Sequence, residues 1–137
     1  MESFEAKAKH LEMIQVVVGR MASNLFYLKG WATTLVAALF ALAAKDSNVK
    51  LVVISYFPVL VFWALDGYFL SQERLFRALY DDVRAKTNAD IDFSMDTTPF
   101  RSNPKNNWVA SILSWTPLLF YGPIILLMIG LMFYILR

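Results

Sequence analysis

Residues 51 to 70 read LVVISYFPVLVFWALDGYFL, and Asp66 is their one charged side chain; in NLFYLKGWATTLVAALFALAA, Asn24 to Ala44, the one charge is Lys29. An ionisable group inside an apolar stretch is costly, roughly a few kcal/mol at a bilayer centre, and ordinarily faces protein or water. Counted back from Leu70, Asp66 lies only about 6 Å inside the end of its stretch. Lys29 sits at a similar depth in the other. If the two stretches are antiparallel neighbours, a Lys29 to Asp66 pair becomes possible, within one subunit or between two. The alternative is that Lys29 snorkels while Asp66 meets interfacial water by itself.

No other set of residues suggests catalysis. His10 is the single histidine. Its spacing puts it off the apolar stripe of the N-terminal helix, with no serine, acid or lysine arranged around it in a recognisable catalytic pattern. Asp90, Asp92 and Asp96 resemble part of a calcium loop. Counting from Asp90, however, Met95 stands where such a loop needs glycine and Arg101 where it needs glutamate. The five glycines are scattered and form no phosphate cradle, and without cysteine there is neither a disulfide nor a thiolate metal site. The expectation is a non-enzymatic chain with no catalytic residue, metal or cofactor. A net charge of +2 gives no reason to expect nucleic acid.

The elements that would hold Lys29 and Asp66 follow from composition. In 137 residues, 58% hydrophobic content is too apolar for an ordinary soluble domain. About 20 apolar residues cross a bilayer, and three stretches qualify: Asn24 to Ala44; Leu51 to Leu70, with Pro58 as a candidate bend; and Trp108 to Leu136. The third exceeds one straight crossing, and Pro117 and Pro123 suggest an interfacial or bent start before a span from about Pro117. The first residues carry acids and bases without a signal-peptide core. Glu2 excludes myristoylation and FYILR is no prenylation box, so attachment is expected through the spans.

Only KDSNVK, Lys45 to Lys50, joins the first two spans, which makes them a hairpin. Ten of the thirteen bases (Lys7, Lys9, Arg20, Lys29, Arg74, Arg77, Arg84, Lys86, Arg101 and Lys105) fall on one side, against Lys45, Lys50 and Arg137. The positive-inside rule then puts the N-terminus in the cytoplasm and the C-terminus outside. The expected architecture is an all-α membrane protein. It comprises a cytoplasmic amphipathic helix over 1–24, a transmembrane hairpin over 25–70 (spans 25–44 and 51–70), a cytoplasmic helix and loop over 71–107, and an interfacial turn plus third span over 108–137.

In the first segment Phe4, Leu11, Val18 and Leu25 recur every seven residues with Ile14 and Met21 between, broken only by Lys7. This stripe predicts packing on the chain's other cytoplasmic helix or on the bilayer, or a coiled-coil seam between subunits. After the second span, SQERLFRALYDDVRAK puts Phe76, Leu79, Tyr80 and Val83 on one face, with Glu73–Arg77 and Asp82–Lys86 as supporting i, i+4 pairs. This pattern predicts that span two runs on as a charged helix. Residues 87 to 107, rich in Asn and Pro, read as a loop in which IDFSM could add a short strand. Tyr27, Trp31, Trp63 and Tyr68 read as an inner aromatic belt. The hydroxyls and alanines of the spans suit helix–helix contact, and three spans are too few to enclose a conduit unless several copies assemble.

An N-terminal amphipathic helix, the aromatic lead-in NLFYLKGW, a tight hairpin and the stretch ERLFRALY, Glu73 to Tyr80, together resemble the SLATT-type and related two-transmembrane effectors of bacterial anti-phage systems. The resemblance covers roughly residues 1 to 87. It implies a homo-oligomer of the inner membrane that breaches the bilayer when a cytoplasmic sensor or enzyme partner signals infection. The third span, and the lack of an appended sensor domain, depart from that layout and favour triggering by a separate protein.

Overall fold

The computed structural model describes residues 2–137, and every regular element in them is helical. Helix α1 spans Glu2–Asp46 and α2 spans Val49–Ala85. A short α3, Trp108–Ile112, precedes α4, Trp115–Leu136. Helices α1, α2 and α4 are each long and apolar enough to cross a membrane.

The expected boundary near residue 24 does not exist. Helix α1 runs unbroken for 45 residues, about 68 Å, because neither proline nor a capping side chain interrupts the stripe. Ile14, Val18, Leu25, Ala32, Val36 and Ala43 are buried along it. Steps of seven between Val18, Leu25 and Ala32 give way to a step of four to Val36. That slip lets one seam serve both the charged and the apolar half of the helix. As the charge pattern predicted, α2 likewise runs on from its apolar half into its charged half, passing through Pro58.

The connection between them is shorter than the six residues expected: only Ser47 and Asn48 lie outside helix. Ser47 takes a left-handed φ of 47°, and the Asn48 amide donates to the Ala43 carbonyl at 3.1 Å, a Schellman-type closure. Asn48 also starts α2, its side-chain oxygen accepting from the Lys50 amide. At the opposite end Lys7, the break in the heptad stripe, donates to the carbonyls of Arg84 and Lys86 at 2.9 Å each. Its charge therefore caps the C-terminus of α2.

Residues 86 to 107 are neither a plain loop nor a strand. No strand occurs among the described residues, and three 3₁₀ turns punctuate the segment as it folds back along the α1–α2 seam. Ile91, Met95 and Phe100 pack against the cluster of Ile14, Val18, Leu79 and Val83. A second cluster, Ala32, Val36, Val59, Tyr121 and Met128, joins α1, α2 and α4.

Candidate functional site

The two charges of the apolar stretches meet. Lys29 Nζ lies 2.8 Å from Asp66 Oδ2, with Asp66 1% exposed and Lys29 23% exposed. The shared α1–α2 seam sets this register, and α4 supplies the wall: the Lys29 ammonium lies 5.8 Å from the centre of the Phe120 ring, within cation–π range. Tyr121, fully buried, stacks on Trp63 with centroids 6.1 Å apart and donates from its hydroxyl to the Phe62 carbonyl at 3.3 Å.

Helix α3 roofs the pair. Gly67, immediately after Asp66, has no room for a side chain: an added Cβ would overlap Ile112 Cγ1 and sit 3.1 Å from Ile112 Cα. Hydrogen bonds clamp this segment to α2. Trp63 Nε1 donates to Ile112 O at 3.0 Å and Trp108 Nε1 to Ala64 O at 2.9 Å. Ser71 Oγ donates to Asn106 O at 2.6 Å and an Arg74 guanidinium nitrogen to Lys105 O at 2.8 Å. Under this roof Asp66 Oδ1 is buried without a hydrogen-bond partner. A buried ion pair repays its desolvation only when the remaining lone pairs are also satisfied. Its second oxygen therefore keeps unused acceptor capacity, with the Tyr121 side chain close by.

The predicted packing residues collect within a single chain. Ile14, Val18, Leu79 and Val83 are buried together, with Leu11, Phe76 and Tyr80 packed on them. Leu25 is buried and Met21 half-buried in the same stripe, whereas Phe4, 68% exposed, joins neither cluster. Tyr27, Trp31 and Tyr68 are exposed. Trp63 is not one of that belt's outward rings, because it turns inward to hold α3. Glu73 and Arg77 pair at 2.7 Å, and Lys86 lies 3.6 Å from Asp82.

His10 corrects the sequence reading. Instead of lying off the packed stripe it is fully buried, with Nε2 2.8 Å from the Ser94 carbonyl oxygen and its ring 5.5 Å from that of Phe93. The cause is the returning segment, which covers a flank of α1 that a two-helix seam would leave in water. Phe93 adopts a left-handed φ of 54° to make the contact, a conformation uncommon for a bulky side chain. The three aspartates of this segment serve its turns. Asp90 accepts from Thr87 Oγ1, Asp92 from the Ser94 amide, and Asp96 from both the amide and hydroxyl of Thr98. The Ser94 amide, helped by nearby Lys86, holds the Asp92 carboxyl below the usual aspartate value, and the Thr98 hydroxyl and amide do the same for Asp96.

The sequence reading missed Trp108, Tyr121, Ser71 and Ser94. All four act through backbone carbonyls, Trp108, Tyr121 and Ser71 by donating to one and Ser94 by offering its own, and these leave no trace in side-chain spacing. No protein-family model, curated protein or solved structure matches this chain.

Proposed function

We propose that this protein is a non-enzymatic, homo-oligomeric effector of the bacterial inner membrane, of the anti-phage type its first 87 residues resemble. In this reading it perturbs or opens the bilayer when a cytoplasmic partner signals. Helices α1, α2 and α4 cross the membrane, with ten of thirteen bases left on the cytoplasmic side, the N-terminus inside and the C-terminus outside. The observation that carries the proposal is the continuity of α1 and α2 from apolar hairpin to charged stalk, with the under-satisfied Lys29–Asp66 pair at the junction. A partner that binds the stalk better when its two helices are displaced shifts the population toward a state in which the pair and its α3 roof separate. Several copies then line the breach.

The second reading is a membrane anchor or sensor that recruits a soluble effector without conducting. It draws on the ordered segment folded along the stalk, which presents exposed Phe93 beside buried His10. A potential-sensitive dye separates the two. Overexpression raises the number of open copies enough for the effector to depolarise cells even without the partner, and Lys29→Met and Asp66→Asn change that activity in parallel, the double variant being no worse than either single one. Cells that stay polarised whenever the partner is absent favour the anchor.

A further inference from the structure

Beside the α3 roof, a cleft of about 210 Å³ lies between α2 and the chain entering α3, lined by Ser71, Gln72, Leu75, Arg101, Asn106 and Asn107. No acid lines it. From residue 97 to residue 137 the chain has no Asp or Glu at all, while Arg101 and Lys105 fall in its first nine positions. Arg74 reaches the same segment through its hydrogen bond to Lys105 O. Among the described residues Arg74, Arg101 and Lys105 take part in no ion pair, whereas Lys29, Arg77, Arg84 and Lys86 each have a carboxylate partner. The chain runs from these bases straight into α3, where Trp108, Val109, Leu113 and Trp115 on the helix and its exit are all exposed.

Cationic side chains above an apolar step match one kind of molecule, with a phosphate at one end and acyl chains at the other. We infer that the cleft holds the headgroup of an anionic glycerophospholipid, its phosphate on Arg101 at the cleft wall with Lys105, next to the lining Asn106, as the second charge, and its chains along Val109 and Leu113. This inference rests on the membrane reading above and adds a lipid class to it. A soluble acidic peptide would satisfy the charges but leave Trp108 and Trp115 uncovered. The lipid satisfies both, and it would brace the segment that clamps α3 over Asp66.

The test uses the full chain in nanodiscs of equimolar phosphatidylglycerol and phosphatidylcholine, with native mass spectrometry counting the lipids retained on release. Phosphatidylglycerol is expected to be retained over phosphatidylcholine by about tenfold. Each charge removed weakens the contact by up to about fivefold, so Arg101→Gln with Lys105→Gln should abolish that preference. Lys45→Gln with Lys50→Gln, the same charge loss beside the hairpin turn at the opposite end of α1, should leave it unchanged. Equal retention of the two lipids, equal loss in both double variants, or displacement of the lipid by millimolar inorganic phosphate at constant ionic strength would each overturn the assignment. A chain that does not enter nanodiscs defeats the membrane reading along with it, while one that enters without a headgroup preference defeats the lipid site alone.

Discussion

The two ends of the α1–α2 hairpin are built from the same two helices but stabilised in different ways. At the charged end, Ile14, Val18, Leu79 and Val83 are covered on a third side by Ile91, Met95 and Phe100, and the outward faces carry charge. At the apolar end α4 buries only Pro117, Tyr121 and Met128 of its 22 residues, leaving Leu119, Leu126, Leu127 and Phe133 exposed. In water that surface would be a severe aggregation liability; in lipid it needs no cover. The contrast shows which end depends on the chain's own packing and which on its surroundings. It also marks the junction, with its single buried ion pair, as the place where one regime hands over to the other.

The largest effect should come from the junction. Lys29→Met leaves the Asp66 carboxylate buried and unpaired, and removing one partner of such a pair typically costs about 3–5 kcal/mol. Thermal unfolding in detergent, followed by far-ultraviolet circular dichroism, should show a large drop in midpoint for Lys29→Met and a smaller one for Asp66→Asn, which removes the charge needing compensation. Lys29→Met with Asp66→Leu should recover much of the loss. If the single variants unfold like the parent, the junction carries no special energetic weight.

His10→Ala tests the charged end. It empties a fully buried site and leaves Ser94 O without its partner, at a cost of about 2–3 kcal/mol. That loss falls on the returning segment, so trypsin cleavage after Arg101 should accelerate by ten- to a hundredfold while the apolar bundle stays intact. Cleavage that spreads equally through both ends would mean that they open as one unit. Gly67→Ala is the smaller counterpart at the roof. Alanine is the better helix former by about 1 kcal/mol, yet its methyl meets Ile112, and overpacking costs about 1–3 kcal/mol. A net loss, with altered emission from the clamping Trp63 and Trp108, is expected. A net gain would show that α3 sits loosely.

Much of this was legible in advance. Three apolar stretches and the tight hairpin follow from period and charge alone; Lys29 and Asp66 were conspicuous because a span tolerates few ionisable groups, but their meeting was one of two alternatives the sequence left open. The fusion of residues 2 to 46 into one helix was not legible, since a change of polarity resembles a boundary although nothing stops the backbone there. His10 and the 86–107 segment were misread for a related reason. Ile91 and Met95 alternate as a strand would, yet no strand forms, and of their packing partners Ile14 and Val18 lie more than seventy residues away on α1. Trp63 was legible as an interfacial aromatic, but neither it nor Trp108 as a hydrogen-bond donor to backbone, since no periodicity encodes a carbonyl.

The smallest effect confines the comparison to the turns of the charged end. Asp92 and Asp96 have folded-state values below the ordinary aspartate value of 3.8. Depressed carboxyl values mean that the folded turns bind fewer protons than the unfolded chain. Their stabilisation is therefore complete above that ordinary value and is lost as pH falls through the lower folded values. Both side chains face solvent, so the consequence is local. Amide exchange at Ser94 and Thr98, after correction for its intrinsic pH dependence, should lose protection only on strong acidification and stay flat from pH 5 to 8. Asp96→Asn retains one acceptor oxygen for the Thr98 amide and hydroxyl but not the charge, and should remove the acid step at Thr98 alone. A step that persists in that variant would place the titrating group outside these turns. Loss of protection on α4 at the same pH would show that acid acts on the whole chain, and the independence of its two ends would fail.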